Sequence, residues 1–287
     1  MTALLDIEDL EVVYPGKGFG RKPFQALKGV SLDIRPGETL GLVGESGSGK
    51  TTLGRAVLGL APVTGGSIRF RDEEISQLSR RRRRELSSEI QVVFQDPYSS
   101  LNPAMSVGQI LSEPLTARGT PRAEARGRIR ELLGQVNLPA DAIDRLPREF
   151  SGGQRQRIAI ARALALDPRL IVCDEPVSAL DLSTQARVLD LFIEIQERTG
   201  VAYLFISHDL AVVRHVSHRV AVMYRGEIVE TGDGGQVTAA PEHPYTRRLM
   251  LAAPVPDPQR QALRRTERQR MLAAEREAAG ATEAGAA

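Results

Sequence analysis

The sequence of 287 residues has little cysteine and no long apolar run. Its one cysteine, Cys173, excludes a disulfide bond or a cysteine-based metal cluster within the chain and is expected to be a small core residue. The longest apolar runs, such as residues 170–173 and 201–206, have the length of a strand and fall far short of a membrane span. The chain is nevertheless 41% hydrophobic, which is enough to bury a full core in one large lobed domain or in two.

An excess of charge of one sign is also missing, because 38 basic and 36 acidic residues leave a net charge of +2. Global charge therefore does not argue for nucleic-acid binding. The first residues lack the basic and apolar zones of a signal peptide, so we expect a cytosolic chain. They instead alternate apolar and polar residues, which predicts a β region over residues 2–33, interrupted by a Gly-, Pro- and Lys/Arg-rich loop at residues 15–23. Tyr14, at the edge of that loop, either stacks on an adenine base or packs at a strand end.

A phosphate-binding loop is the most specific motif in the chain. The pattern G-x-x-x-x-G-K-[ST] is matched by Gly44, Glu45, Ser46, Gly47, Ser48, Gly49, Lys50 and Thr51, followed by Thr52. An apolar strand at residues 39–43 precedes the loop and a helix at residues 53–60 follows it, which is the context that the motif requires. Lys50 is expected to reach the β- and γ-phosphates of a nucleotide, and the Thr51 hydroxyl to ligate Mg²⁺. The chain is predicted to bind a nucleoside triphosphate.

Polar residues follow three further predicted strands. Gln95 ends the strand at residues 90–94, and Asp174 and Glu175 end the strand at residues 170–173. His208 comes just after the strand at residues 201–206. The carboxyl ends of strands in an open α/β sheet form a ligand-binding crevice, so Asp174 could hold Mg²⁺ and Glu175 could polarise the attacking water, although acidic residues also cap strands. His208 could contact a γ-phosphate or have a structural role.

A predominantly helical stretch from residue 107 to residue 166 interrupts the α/β alternation and predicts a separate lobe. Within it, Ser151, Gly152, Gly153 and Gln154 precede a long helix predicted at residues 155–166. Serine is a good N-cap and two glycines permit close backbone approach, so this helix start is a second candidate anion site. Farther on, residues 178–181, which end at Asp181, open another amphipathic helix.

Arg80 to Arg84 form a run of five arginines in a helical setting. Because no aromatic residues or nucleic-acid module accompany the run, a solvated helix face is favoured over a site for nucleic acid or acidic lipid. Residues 219–224 and 227–231 predict a hairpin around Arg225 and Gly226. Beyond residue 232, prolines are expected to break regular structure, and residues 239–287 are predicted to be an accessory extension with a mobile end.

Taken together, these motifs resemble the ATP-binding subunit of an ABC transporter over about residues 4–231. The resemblance implies an α/β fold: a phosphate-loop NTPase core with a mainly parallel sheet, an N-terminal antiparallel β region and a helical lobe inserted at about residues 97–166, all within an ATPase domain of residues 1–238. It also implies ATP and Mg²⁺ as cofactors. Catalytic roles would fall to Glu175, His208, Gln95 and Lys50, metal contacts to Thr51, Gln95 and Asp174, and nucleotide contacts to Tyr14, residues 44–52, Ser151, Gly152, Gly153, Gln154 and Asp181.

Phe150, at the position where leucine is common, is similar to the oligopeptide and dipeptide importer branch, as are residues 94–103 and 243–247. The resemblance implies peptide or small-solute import at the cytoplasmic face of the inner membrane, with membrane-spanning subunits, a second ABC ATPase and, indirectly, an external solute-binding protein as partners. The iron–sulfur cluster of some members is not expected, because their cysteines are missing. No nucleic-acid partner is expected. The alternatives are a soluble ABC ATPase acting on nucleic acid or the ribosome, and a non-hydrolytic regulatory module.

Overall fold

The computed structural model of the chain describes residues 2–16 and 22–252. Within these residues the strands are β1 Leu5–Tyr14, β2 Phe24–Ile34, β3 Thr39–Val43, β4 Gly65–Phe70, β5 Glu73–Glu74, β6 Ile90–Val93, β7 Leu170–Asp174, β8 Ala202–Ser207, β9 Arg219–Tyr224 and β10 Glu227–Asp233. The α-helices are α1 Lys50–Val57, α2 Arg80–Leu86, α3 Val107–Ala117, α4 Arg122–Gln135, α5 Gly152–Leu164, α6 Leu182–Thr199, α7 Leu210–Val216, α8 Gly234–Ala239 and α9 Pro244–Ala252. No helix in this part of the chain has the length and apolar character that a membrane crossing requires.

A six-stranded sheet positions the candidate site. Its strand order is β10-β9-β3-β8-β7-β6, and every neighbouring pair is parallel except β9 with β10. Val43 at the end of β3 is paired with Ser207 of β8, and Asp174 of β7 is paired with Ile206. The carboxyl ends of β3, β6, β7 and β8 therefore lie side by side at one edge of the sheet. The hairpin predicted around Arg225 and Gly226 is confirmed as β9–β10.

A second sheet, of order β2-β1-β4-β5, is entirely antiparallel. It contains the β region predicted at the N-terminus, and β4 and β5 join it from beyond the phosphate loop. The fold class predicted from the sequence is thereby confirmed. The loop at residues 17–21 lies outside the described residues.

Two hydrophobic clusters cover the two faces of the six-stranded sheet. Along β8, Leu204 belongs to the cluster that reaches the antiparallel sheet, whereas its neighbours Tyr203 and Phe205 belong to the cluster shared with the helices. This alternation follows from the two-residue period of a strand. The rings of Tyr203 and Phe205 both meet Phe192 of α6 edge to face, at centroid distances of 5.4 and 5.6 Å.

The helical stretch consists of α3, α4, α5 and two short 3-10 helices, Ala140–Asp144 and Pro147–Glu149. Its apolar residues pack in the same cluster as the sheet face that carries Phe205. Helix α5 begins at Gly152, three residues earlier than predicted. The reason is local: Ser151 and Gln154 form a capping box, in which the Ser151 hydroxyl accepts from the Gln154 amide.

The prediction that prolines break regular structure beyond residue 232 holds at Pro241, which lies between α8 and α9, but not at Pro244. Pro244 is the first residue of α9, a position where the missing amide hydrogen leaves no helical hydrogen bond unmade. The boundary predicted between residues 238 and 239 falls in the last turn of α8. Most of the predicted accessory extension, residues 253–287, lies outside the described residues.

Candidate functional site

The phosphate loop joins β3 to α1 as predicted, although α1 begins at Lys50 and ends at Val57, three residues earlier at each end than predicted. Gly49 caps α1 with φ of 114°, a conformation that favours glycine. A Cβ atom on Gly44 would lie 2.2 Å from the carbonyl oxygen of Met223 on β9, so the loop approaches that strand as closely as its backbone permits. The turn after β9 contributes as well, because the Gly226 amide donates to the Ser48 carbonyl at 2.8 Å.

Lys50 is 5% exposed and is held by the loop itself. Its Nζ donates to the carbonyl oxygens of Gly44 and Glu45 at 2.7 and 2.9 Å. Burial lowers the pKa of Lys50, and the nearby carboxylates of Glu175 and Asp174 oppose that effect. The ammonium group rests on neutral acceptors that an entering anion can replace.

Thr51 and Asp174 meet directly across the sheet edge. The Thr51 hydroxyl donates to Asp174 Oδ1 at 3.1 Å. Burial raises the pKa of Asp174, and the negative charge of Glu175 raises it further, while the hydrogen bond from Thr51 lowers it. A partly buried carboxylate beside a hydroxyl supplies hard oxygen ligands, which suit Mg²⁺.

Glu175 brings together two other predicted residues. Its Oε2 atom accepts from Gln95 Nε2 at 3.3 Å and lies 3.2 Å from His208 Nδ1. The backbone of Glu175 has φ of 48°, in the left-handed region that non-glycine residues rarely adopt. Its amide is fixed in this conformation by donating to the carbonyl of Ile206 at 3.0 Å. The carboxylate is thus aimed at the edge where Gln95 and His208 arrive from β6 and β8.

A cavity of about 250 Å³ opens beside this group. Its lining residues are Phe24, Ala26, Ser46, Gly47, Gly49, Lys50, Thr51, Thr52 and Glu175. The aromatic side chain that lines it is Phe24, which is 64% exposed. Tyr14, the residue named from the sequence, is the strand partner of Phe24 and packs against the apolar cluster next to it. Phe24 was not predicted from the sequence; an antiparallel pairing of the two predicted strands is the signal that could have found it.

The candidate residues of α5 and α6 lie apart from that cavity's lining. The side chain of Asp181 caps α6 by accepting from the Thr184 amide at 3.0 Å and from the Ser183 hydroxyl at 2.7 Å. The hydrogen bond from Ser183 is the largest of several that lower the pKa of Asp181. A Cβ atom on Gly153 would lie 2.2 Å from Cγ2 of Thr184, so the starts of α5 and α6 are in close contact. The starts of α5 and α6, which carry Ser151, Gly153 and Asp181, therefore lie side by side and do not line the cavity beside the phosphate loop.

One loop contact was not predicted at all. The Glu45 amide donates to the hydroxyl of Tyr245 on α9 at 2.9 Å. The two residues are 200 positions apart, and an amide contact leaves no pattern in the sequence around Glu45. Residues 243–247, which include Tyr245, were singled out from the sequence only because they resemble the importer branch.

The arginine run is mostly used within the chain. Arg82 pairs with Glu73 at 2.6 Å and with Glu85 at 2.9 Å. Arg83 is partly buried and donates to the carbonyl of Ile75 at 2.5 Å. Arg81 also pairs with Glu85, at 3.3 Å. Three of the five arginines are thus engaged by α2 and its neighbours, so the run is only in part the solvated face that was predicted.

The family model described as ABC transporter matches residues 27–178, which is more than half of the chain. The chain belongs to the ABC transporter family. This match confirms the resemblance predicted from the motifs. The solved structures to which the fold is similar include cbiO1 from Clostridium perfringens, part of the ABC transporter complex cbiONQ, with 28% identity and a TM-score of 0.73 over 84% of this chain and 92% of that one.

A second similar structure of the family is the dimeric post-hydrolysis state of the ATP-binding cassette MJ0796 bound to ADP and Pi, with 28% identity and a TM-score of 0.69 over 80% of this chain and 98% of that one. Among relatives in sequence, the glutathione import ATP-binding protein GsiA of Pectobacterium atrosepticum is 52% identical over 82% of this chain and 38% of its own length. The oligopeptide transport ATP-binding protein OppD of Mycobacterium bovis is 51% identical over 82% of this chain and 39% of its own length.

A putative peptide import ATP-binding protein of Brucella ovis is 50% identical over 93% of this chain and 83% of its own length. The chain thus spans less than two fifths of GsiA and OppD but most of the Brucella ABC protein. These relatives are named as import ATP-binding proteins, which does not favour the alternative of a soluble ATPase acting on nucleic acid or the ribosome.

Proposed function

We propose that this chain is the ATP-hydrolysing subunit of an ABC importer that takes up oligopeptides, dipeptides or a related small solute. The observation that carries the proposal is the meeting of Lys50, Asp174 and Glu175 at one sheet edge, with Gln95 and His208 on the carboxylate of Glu175. A phosphate-binding lysine, a metal-binding carboxylate and a base are the parts that phosphoryl transfer to water requires.

The phosphates of ATP enter the cavity along residues 44–52, where backbone amides and the start of α1 face the negative charge. Lys50 exchanges its two loop carbonyls for phosphate oxygens. Thr51, Asp174 and Gln95 would hold Mg²⁺, since the first two are already within hydrogen-bond distance and Gln95 comes to the same edge. Bound there, Mg²⁺ would neutralise charge on the phosphates. Phe24 lines the cavity and Tyr14 is its strand partner, so the adenine would stack on one of these two rings.

Glu175 acts as the general base that polarises the attacking water. Gln95 and His208 fix one oxygen of its carboxylate, Oε2, through the contacts of 3.3 and 3.2 Å. The second oxygen would then be available to water in the cavity that Glu175 lines. His208 is about half exposed, and it would also contact the γ-phosphate.

The separation of Ser151, Gly153 and Asp181 from the cavity fits a composite site. In a head-to-tail pair of ABC subunits, Ser151 to Gln154 of one chain would face the γ-phosphate held by residues 44–52 of the other. The start of α5 suits that role, because its first amides and the Ser151 hydroxyl form an anion-receptive helix end. ATP would close the pair and hydrolysis would reopen it, a population shift toward the state that binds the nucleotide better.

The assembled transporter would contain two such ATPases, identical or homologous, on membrane-spanning subunits at the cytoplasmic face of the inner membrane. An external solute-binding protein would deliver the cargo. The sequence similarity to peptide and glutathione import ATP-binding proteins supports this class of solute.

A Glu175→Gln variant tests the catalytic part of the proposal. The amide keeps the shape of the side chain but cannot accept a proton, so ATP affinity should be retained while the turnover rate falls at least 100-fold, the scale of a lost general base. Glu194→Gln, an exposed position on α6, is the matched control and should hydrolyse ATP at the rate of the unmodified chain. Undiminished hydrolysis by the Glu175 variant would remove this residue as the base.

Uptake of labelled dipeptides and longer peptides tests the transport part. Cells without this chain should lose uptake of the cargo, and the unmodified chain should restore it while the Glu175→Gln variant should not. Uptake of the whole peptide panel at an undiminished rate in cells lacking the chain would contradict peptide import.

A further inference from the structure

The contact between Tyr245 and the phosphate loop joins the C-terminal end of the described chain to the nucleotide site. Tyr245 is 3% exposed, and its hydroxyl accepts from the Glu45 amide at 2.9 Å. Burial raises the pKa of Tyr245, which keeps the hydroxyl neutral at physiological pH. The hydroxyl is therefore a fixed, uncharged partner for the loop backbone.

The bonded amide belongs to the same peptide group as the Gly44 carbonyl. Lys50 Nζ donates to that carbonyl at 2.7 Å, so one peptide plane is held from both ends, by Lys50 at its oxygen and by Tyr245 at its nitrogen. Hydrogen bonds in such a chain strengthen one another. When phosphates draw Lys50 away, the bond from Tyr245 is the one that still fixes this plane.

Tyr245 is itself firmly seated. Its ring lies 4.1 Å from that of Tyr224, centroid to centroid, at the end of β9, the strand whose Met223 carbonyl touches Gly44. The turn before α9 is anchored because the Glu230 carboxylate accepts from the amides of Glu242 and His243, at 2.9 and 3.0 Å. The position of the hydroxyl is thus set by β9, β10 and α9 together and not by the loop that it contacts.

We propose that Tyr245 is a positioning residue of the phosphate loop, and that residues 241–252 are part of the nucleotide site and not only an accessory extension. The inference rests on the proposed function, since it assumes that the loop binds ATP. Tyr245 acts by holding the Gly44–Glu45 peptide plane in the orientation that receives the β- and γ-phosphates. It touches no reacting atom.

The Tyr245→Phe variant removes only the hydroxyl and keeps the ring on Tyr224. It leaves the Glu45 amide without its partner, and we expect ATP to bind between about two- and tenfold more weakly, the equivalent of one lost hydrogen bond. The KM for ATP should rise by the same factor while kcat is unchanged. Tyr203→Phe is the matched control: the hydroxyl of Tyr203 is buried and has no hydrogen-bond partner among the described residues, so ATP affinity should not change.

Calorimetric titration of the full chain with ATP, together with amide hydrogen exchange at residues 44–46, reads both effects. The inference is supported if the Tyr245→Phe variant shows faster amide exchange at Glu45 and weaker ATP binding and the Tyr203→Phe control shows neither. An ATP affinity equal to that of the unmodified chain, or an equal loss in the Tyr203 control, overturns it and leaves the proposed function standing. Failure of the unmodified chain to bind ATP overturns both.

Discussion

Replacing Gly153 by alanine has two opposing effects on stability: a gain from helix propensity and a loss from overpacking. In a helix interior, glycine to alanine gains about 1 kcal/mol of stability from propensity alone, which is the upper limit for Gly153, the second residue of α5. At Gly153, however, the new Cβ would lie 2.2 Å from Thr184 Cγ2, whereas carbon atoms in contact prefer a separation of about 3.5–4.0 Å. Either α5 or the Thr184 side chain must move by more than 1 Å, roughly the shortfall between those distances.

Overpacking of this kind costs about 1–3 kcal/mol, which exceeds the gain from propensity. We expect the Gly153→Ala variant to lose about 1–2 kcal/mol in its free energy of unfolding, measured by urea denaturation. Gly134→Ala in α4, where nothing lies within 4 Å of the added Cβ, is the control and should gain about 0.5–1 kcal/mol.

A second substitution shows which atom is responsible. Thr184→Ser removes Cγ2, and the next nearest atoms of Thr184 lie 3.7 and 3.9 Å from the added Cβ, which are ordinary contacts. In the Thr184→Ser background, Gly153→Ala should therefore cause no loss of stability, a coupling of more than about 1 kcal/mol in the double-mutant cycle. Additive effects of the two substitutions, or a stabilised single variant, would refute the packing argument.

Two further predictions concern single groups. The hydrogen bond from Arg219 lowers the pKa of Asp33 below its ordinary value of 3.8. The stability that this pair contributes is therefore present above that pH and is lost as the pH falls through the lowered pKa. In urea unfolding, Asp33→Asn should be less stable than the unmodified chain at pH 7, with the difference narrowing below about pH 4, and a difference that does not change with pH would contradict this. The thiol of Cys173 is fully buried and burial raises its pKa, so iodoacetamide should label it only as fast as the chain unfolds; rapid labelling of the folded protein would show that the thiol is accessible.

The edge of the sheet could be predicted from the sequence because parallel strands leave a simple trace. Each of the strands ending near Gln95, Asp174 and His208 is a short apolar run that stops at a polar residue, and strands of this kind place their carboxyl ends together. The proximity of Gln95 and His208 to Glu175 follows from that placement. The left-handed backbone of Glu175 could not be predicted, because no residue type at this position signals the strain.

Interactions made through the backbone could not be predicted from the sequence. Tyr245 reaches an amide, and any residue in place of Glu45 would offer the same donor. Similarly, the run from Arg80 to Arg84 gives no sign of which guanidinium turns inward, since only the facing carbonyls of the folded chain select Arg83. Pro244 was expected to break regular structure, but it is the first residue of α9. The effect of a proline depends on whether it begins a helix or lies within one.

The charges around Lys50 bear on the form in which the nucleotide binds. One buried ammonium group faces the carboxylates of Asp174 and Glu175, so these three groups together carry no positive excess that could balance a triphosphate. Burial raises the pKa of Asp174 and the negative charge of Glu175 raises it further, so the surroundings of this carboxylate already disfavour additional negative charge. A divalent cation on Asp174 and Thr51 would relieve the repulsion among the carboxylates and the phosphates at once. The electrostatics of the site therefore support the proposal that ATP binds with Mg²⁺, and they predict that an Asp174→Asn variant measured without Mg²⁺ binds ATP at least as tightly as the unmodified chain.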